Sequence, residues 1–227
     1  VSYTVNPDGT QLQQLVAGHS DFPKWSPDGT QVSLGDMECQ FDGTCAAVIV
    51  DPDTGSSRVL PNPDPTVFNS TFCDPWSPDG TRLACGLFSE ATGNSVYTIR
   101  SSDGGGLKKV VSCDAISPGA ECGPNDYSPD GNTVVFRRLT STSVAGGAWD
   151  ILTVPTAGGT PRVLVSGTVF RSNPDWSAEG IVFSESNPTT GGTDMLEKNP
   201  GEKKSRIPFH AFISGSHLYT SHAADDK

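Results

Sequence analysis

The chain has 227 residues, a formal net charge of −11, 34% hydrophobic and only 18% charged residues, with 25 glycines and 18 prolines. That length holds one large all-β domain or two smaller ones, and the low charged fraction, with aromatic residues spread along the chain, excludes a disordered polyelectrolyte. The longest apolar run, Cys45 to Val50, is too short for a membrane-spanning helix, and an acidic chain without a basic cluster does not suit nucleic acid or anionic lipid as its main partner.

The first elements are two short strands, Val1 to Asn6 and Gln11 to Val16, joined by a turn at Pro7-Asp-Gly9. A motif then recurs at a spacing of about 50 residues. It reads Trp25-Ser-Pro27-Asp28-Gly29-Thr30, Trp76-Ser-Pro78-Asp79-Gly80-Thr81, Tyr127-Ser-Pro129-Asp130-Gly131-Asn132 and, degenerate, Trp176-Ser-Ala-Glu-Gly180. Proline presets the backbone of a turn, Asp accepts hydrogen bonds from nearby amides, and Gly tolerates positive φ. The motif therefore predicts a hairpin in which the aromatic ends one strand and an alternating apolar pair opens the next. Those pairs are Val32/Leu34, Leu83/Cys85, Val134/Phe136 and Ile181/Phe183. The fourth copy is two residues shorter, an even number, so its inward face is kept.

Two further strands follow each hairpin. The third strands are 48–50, 96–99, 151–154 and 194–196, the turns carry Gly55, Gly104, Gly158 and Gly201, and the fourth strands are 57–60, 107–111, 161–165 and 205–207. Four short strands per unit of about 50 residues predict a β-propeller. The expectation is one domain over 1–227, with blades near 22–61, 73–112, 123–167 and 173–210. A fifth blade is expected to be shared between 1–17 and 211–227, closing the ring; the alternative is an open fragment of a larger propeller. A start at Val1 rather than Met is expected of a chain that has lost a leading segment.

Cys39, Cys45, Cys73, Cys85, Cys113 and Cys122 fall in three close pairs. An even count in a Ser/Thr/Gly-rich acidic chain suggests disulfides and an oxidising compartment, although six cysteines allow many connectivities and a reduced protein would bury them as small hydrophobes. Sequential pairing is the preferred reading. It puts Cys73 and Cys85 across the second hairpin, Cys39 and Cys45 across the link between second and third strands, and Cys113 and Cys122 across a blade-to-blade loop.

The repeated Trp-Ser-Pro-Asp-Gly-Thr resembles the TolB-type, WD40-like propeller repeat, as do Asn6-Pro-Asp-Gly-Thr10, Ser101-Ser-Asp-Gly-Gly-Gly-Leu107 and Asn125-Asp-Tyr-Ser-Pro-Asp-Gly131. The resemblance covers 1–184 well and 185–227 poorly. It implies a bacterial periplasmic or extracellular protein acting as a scaffold, in a family that includes envelope proteins docking protein partners and propeller domains attached to serine peptidases. Its motif residues are turn formers rather than a catalytic set.

Candidate chemistry is sparse. No G-x-S-x-G nucleophile elbow occurs, and Ser214-Gly-Ser-His217 lacks that pattern. Asp51-Pro-Asp53-Thr-Gly55 has two carboxylates before a turn, more simply an Asx-type turn than a calcium loop. His210, His217 and His222 cluster without an ordinary ligand spacing. Asp28, Asp79 and Asp130 read as turn caps, and Trp25, Trp76, Tyr127 and Trp176 as blade-packing residues rather than a sugar-stacking platform. Asn69-Ser-Thr71 is a glycosylation sequon, of little meaning if the source is bacterial, as the resemblance implies. The expectation is a non-enzymatic propeller with no cofactor, binding a protein or surface ligand through the insertions 61–72 and 112–124. The alternatives are a metal-dependent propeller enzyme such as a polysaccharide lyase, and a detached propeller domain of a larger peptidase-like protein.

Overall fold

The computed structural model describes residues 2–16, 20–36, 39, 42–116, 120–143, 147–198, 201, 203 and 205–206. It is all-β. A short pair, β1 (Tyr3–Thr4) and β2 (Gln13–Gln14), is followed by four antiparallel four-stranded sheets. The first comprises β3 (Ser20–Trp25), β4 (Val32–Asp36), β5 (Cys45–Val50) and β6 (Ser57–Pro61); the second β7 (Ser70–Trp76), β8 (Arg82–Ser89), β9 (Gly93–Arg100) and β10 (Lys108–Ser112). The third comprises β11 (Cys122–Tyr127), β12 (Thr133–Ser141), β13 (Ala148–Pro155) and β14 (Arg162–Val165); the fourth β15 (Arg171–Trp176), β16 (Ile181–Ser186), β17 (Thr193–Lys198) and β18 (Ser205–Arg206). Strands follow chain order within every sheet, so these are four propeller blades. The part of the shared closing blade expected from 211–227 lies outside the described residues, as do His210, His217, His222 and Ser214-Gly-Ser-His217.

Each repeat turn is built the same way. In the first, Gly29 N donates to Ser26 O at 2.9 Å, Ser26 Oγ donates to Asp28 Oδ1 at 2.6 Å, and Thr30 N donates to the same oxygen at 3.1 Å. Ser77–Asp79–Thr81 and Ser128–Asp130–Asn132 repeat this arrangement, and in the fourth copy Ser177 Oγ donates to Glu179 Oε2 at 2.7 Å. The hydrogen bonds to Asp28, Asp79 and Asp130 hold all three carboxyls below their ordinary range. The glycine ending each Pro-Asp-Gly turn has φ near +70°, which a β-carbon would resist.

The turn fixes register. Trp25 pairs with Val32, Trp76 with Leu83, Tyr127 with Val134 and Trp176 with Ile181. All eight residues of the four apolar pairs are 1% exposed or less, so the short fourth copy keeps its inward face. The core consists of slabs between consecutive blades. Ala46, Ile49 and Leu60 of the first meet Trp76, Leu83 and Ile99 of the second; Ala84 and Val96 meet Val134 and Phe136; Val135 and Ile151 meet Ile181 and Phe183. Each Val, Leu, Ile or Phe among them contributes roughly 1.5–3 kcal/mol by leaving water. Leu15 and Val16, after β2, pack against the first-blade cluster of Val32, Leu34, Val48 and Val50.

Three disulfides join Cys39 to Cys45, Cys73 to Cys85 and Cys113 to Cys122. Cys73 and Cys85 are register partners with Cα atoms 4.0 Å apart, inside the slab between the first two blades.

Candidate functional site at the channel

The first strands of the blades pack on one another in turn, β3 on β7, β7 on β11 and β11 on β15, so they form the inner ring of the propeller. Every inner strand carries a proline within three residues of its aromatic: Pro23, Pro75, Pro124 and Pro174. Proline cannot donate to a ladder and belongs at edges and bulges. Accordingly, register slips between Asp21 and Lys24, Cys73 and Trp76, Pro124 and Asp126, and Ser172 and Asp175. A bulge re-aims the side chains beside it. Here it gathers Lys24, Asp126 and Asp175, each one residue before its aromatic.

Lys24 Nζ donates to Asp175 Oδ1 at 2.6 Å, joining the first blade to the fourth. Asp126 lies in the same group. Its Oδ1 accepts from Tyr127 N and its Oδ2 from Trp176 N, both at 2.8 Å. Burial pushes its pKa up to about 7; the Asp175 charge acts in the same direction, while Lys24 and the two amides oppose it. Burial also works against the Lys24 charge, but Asp126, Asp175 and Asp74 together hold its pKa above the usual lysine value. Trp76 Nε1 donates to Lys24 O at 3.1 Å and Ser33 Oγ to Asp74 O at 2.6 Å, tying the second blade into the same ring. Among the described residues no three His, Cys, Asp or Glu side chains converge as a metal-holding group.

Antiparallel order puts the Ser-Pro-Asp-Gly and glycine turns on one face and the longer connections on the other. On that loop face the segment after β6 is pinned by Asn62, whose Nδ2 donates to Gly43 O at 2.7 Å and Phe68 O at 2.8 Å. Phe68 is buried against the edge of Tyr97, with centroids 5.3 Å apart, while Val67 and Phe88 are exposed on the same side. The segment after β10 is cross-linked by Cys113–Cys122.

Two inner-strand residues on the loop side of the Lys24–Asp175 bridge have left-handed backbones, Phe22 at φ 52° and Asn173 at φ 49°. Asn visits this region readily, but a bulky aromatic is an outlier there. Phe22 is 55% exposed.

Of the residues singled out from the sequence, Trp76, Tyr127 and Trp176 touch this group, through Trp76 Nε1 and the Tyr127 and Trp176 amides, and the repeat-turn residues lie elsewhere. Asp28, Asp79, Asp130, Pro27, Pro78 and Pro129 belong to the turn face, and Asp51 accepts from Asp53 N and Thr54 N in an Asx-type turn. Lys24, Asp126, Asp175 and Phe22 are new from the structure. The signal for them was the proline-interrupted inner strand.

No family model and no curated protein matches the chain. Solved structures do. A TolB of Agrobacterium tumefaciens aligns with a TM-score of 0.61 at 20% identity, over 90% of this chain and 68% of that one. TolB from Acinetobacter baumannii aligns with a TM-score of 0.57 at 19% identity, over 86% of this chain and 48% of that one. A prolyl endopeptidase, from a study of inter-domain dynamics, aligns with a TM-score of 0.53 at 14% identity, over 83% of this chain and 28% of its own length. The chain thus has the TolB-type propeller fold and spans about half the length of the Acinetobacter protein. At these identities the likeness establishes the fold alone.

Proposed function

We propose that the chain is a non-enzymatic, extracytoplasmic scaffold that docks a protein partner at the mouth of its channel on the loop face. The observation that carries this reading is Phe22. An exposed phenylalanine in the left-handed region costs roughly 1–2 kcal/mol that glycine would avoid. Nothing in the core compensates a side chain so exposed, and aromatic residues, phenylalanine included, are enriched at protein interfaces. The pinned 62–69 segment and the cross-linked segment after β10 support the reading, because a rim held in place loses little entropy on binding. The three disulfides support an oxidising compartment.

The test is affinity capture from an envelope extract with the full chain as bait, in parallel with Phe22→Gly. The expected result is a discrete protein retained by the wild type and lost by the variant while Tm holds or rises. Absence of a specific protein, or equal retention by both baits, would overturn the reading.

A further inference from the structure

On the opposite face, between the second and third blades, lies a cleft of about 610 Å³ lined by the two neighbouring repeat turns. That volume is in the range of small-molecule sites. We propose that this cleft binds a saccharide of one or two residues, held by Asp79, Arg82, Lys108 and Tyr127.

Arg82 is held in place: its Nε donates to Thr98 Oγ1 at 2.9 Å and its Nη2 to Thr98 O at 2.8 Å and Gly106 O at 2.6 Å, which leaves Nη1 free. Lys108 is exposed and stands opposite Thr98 in the sheet, beside Arg82. Asp79 gives Oδ1 to Ser77 and Thr81 and keeps Oδ2 uncommitted. Asp130, across the cleft, has both oxygens occupied by Ser128 and Asn132. The floor includes Tyr127, which stands where the other three repeats have Trp. Tyr127 is 4% exposed, and its hydroxyl is buried without a hydrogen-bond partner. A buried, unpaired phenol is costlier than the phenylalanine that would pack as well. The hydroxyl is covered in the free protein, so a ligand group that displaces the side chains over it would supply the missing partner.

The charges choose the ligand class. Two cations and two carboxylates cancel within the cleft, in a chain of net charge −11, so a simple anion gains no net attraction. Spare donors on Arg82 and Lys108 beside a spare acceptor on Asp79 suit a group that both accepts and donates. A vicinal diol does this: one oxygen accepts from the guanidinium or ammonium while its neighbour donates to the carboxylate.

The experiment is calorimetric titration of the full chain with cellobiose, maltose and N,N′-diacetylchitobiose, and separately with inorganic phosphate. Saturable binding of at least one disaccharide is expected, with none of phosphate. Lys108→Met and Tyr127→Phe should each weaken it about tenfold, or 1.4 kcal/mol, while Tm of Tyr127→Phe holds or rises. Failure of all three disaccharides, phosphate binding in their place, or affinity indifferent to both variants would overturn the proposal. A lower Tm for Tyr127→Phe would also count against it, because the hydroxyl would then have a partner in the free protein.

Discussion

Lys24 and Asp175 are 151 residues apart in sequence and 2.6 Å apart across the channel, joining the first described blade to the fourth. Asp126, from the third, lies beside them and bonds to the Trp176 amide of the fourth. The pair itself is partly solvated, with side chains 30% and 44% exposed, so its direct worth is below about 1 kcal/mol. Its two members act on the Asp126 carboxyl in opposite senses, the lysine lowering its pKa and the carboxylate raising it.

Asp126 makes stability depend on pH near neutrality. Its carboxyl moves from an ordinary 3.8 to about 7 on folding, so between these values the folded protein binds a proton the unfolded chain has released. Stability therefore falls as pH rises from about 4 to 7 and levels above that. Urea unfolding from pH 5 to 8 should show this decline in the wild type and lose its Asp126 component in Asp126→Asn. Lys24→Met should move the same titration to higher pH, because the lysine charge is the largest influence opposing the shift.

The repeat-turn carboxylates act in the opposite sense. Asp28 and Asp79 are depressed by hydrogen bonds from Ser26, Thr30, Ser77 and Thr81. Their contribution is present above the unfolded carboxylate range and is lost as pH falls through the folded values. Asp28→Ala and Asp79→Ala should each cost about 1 kcal/mol at pH 6. Acid unfolding of the double variant below pH 4 should be shallower than that of the wild type.

The hairpin was legible in the sequence because its chemistry is local. Ser, Pro, Asp, Gly and Thr close the turn among themselves, so the motif fixes register and register fixes which residues face inward. The same logic brought Cys73 opposite Cys85. The channel was not legible in this way. Lys24, Pro75, Asp126 and Asp175 occupy one repeat position with different chemistry, and their meeting depends on four strands brought together by the ring. Nor does any local rule announce a left-handed Phe22. The prolines in all four inner strands were the available sign that backbone pairing breaks just before each aromatic.

Cys73–Cys85 lies in the slab between blades, with both residues fully buried, whereas Cys39–Cys45 closes a span of only six residues. Replacing Cys73 and Cys85 by alanine should cost roughly 3 kcal/mol, and replacing Cys39 and Cys45 less, because the longer loop constrains more of the unfolded chain. Calorimetric melting of the two double variants should give the larger drop in Tm for Cys73/Cys85.

Asn62 decides whether the loop-face rim is a fixed surface. It is 5% exposed, donates to Gly43 O and Phe68 O, and accepts from Asp64 N at 3.0 Å. Asn62→Ala leaves two buried carbonyls without donors and should cost about 2–3 kcal/mol. The loss should be local, read as faster hydrogen exchange over 62–69 with little change in β12 and β13. Gly43→Ala should loosen the same segment, since its φ is +72° and a β-carbon there would sit 2.7 Å from Asn69 O.

Phe22 and Asn173 share a left-handed backbone at the same repeat position, on the two strands that Lys24 and Asp175 bridge. If backbone strain is held at Phe22, glycine should release it there and not at Asn173, because asparagine already tolerates the conformation. Phe22→Gly is therefore expected to raise stability by roughly 1 kcal/mol, offset in part by the freer unfolded chain, and Asn173→Gly to leave it unchanged or slightly lower. Denaturant unfolding of both variants checks this. Equal losses at the two positions would mean that the Phe22 ring contributes to the fold, and its place at the channel mouth would then be explained by packing rather than by a partner.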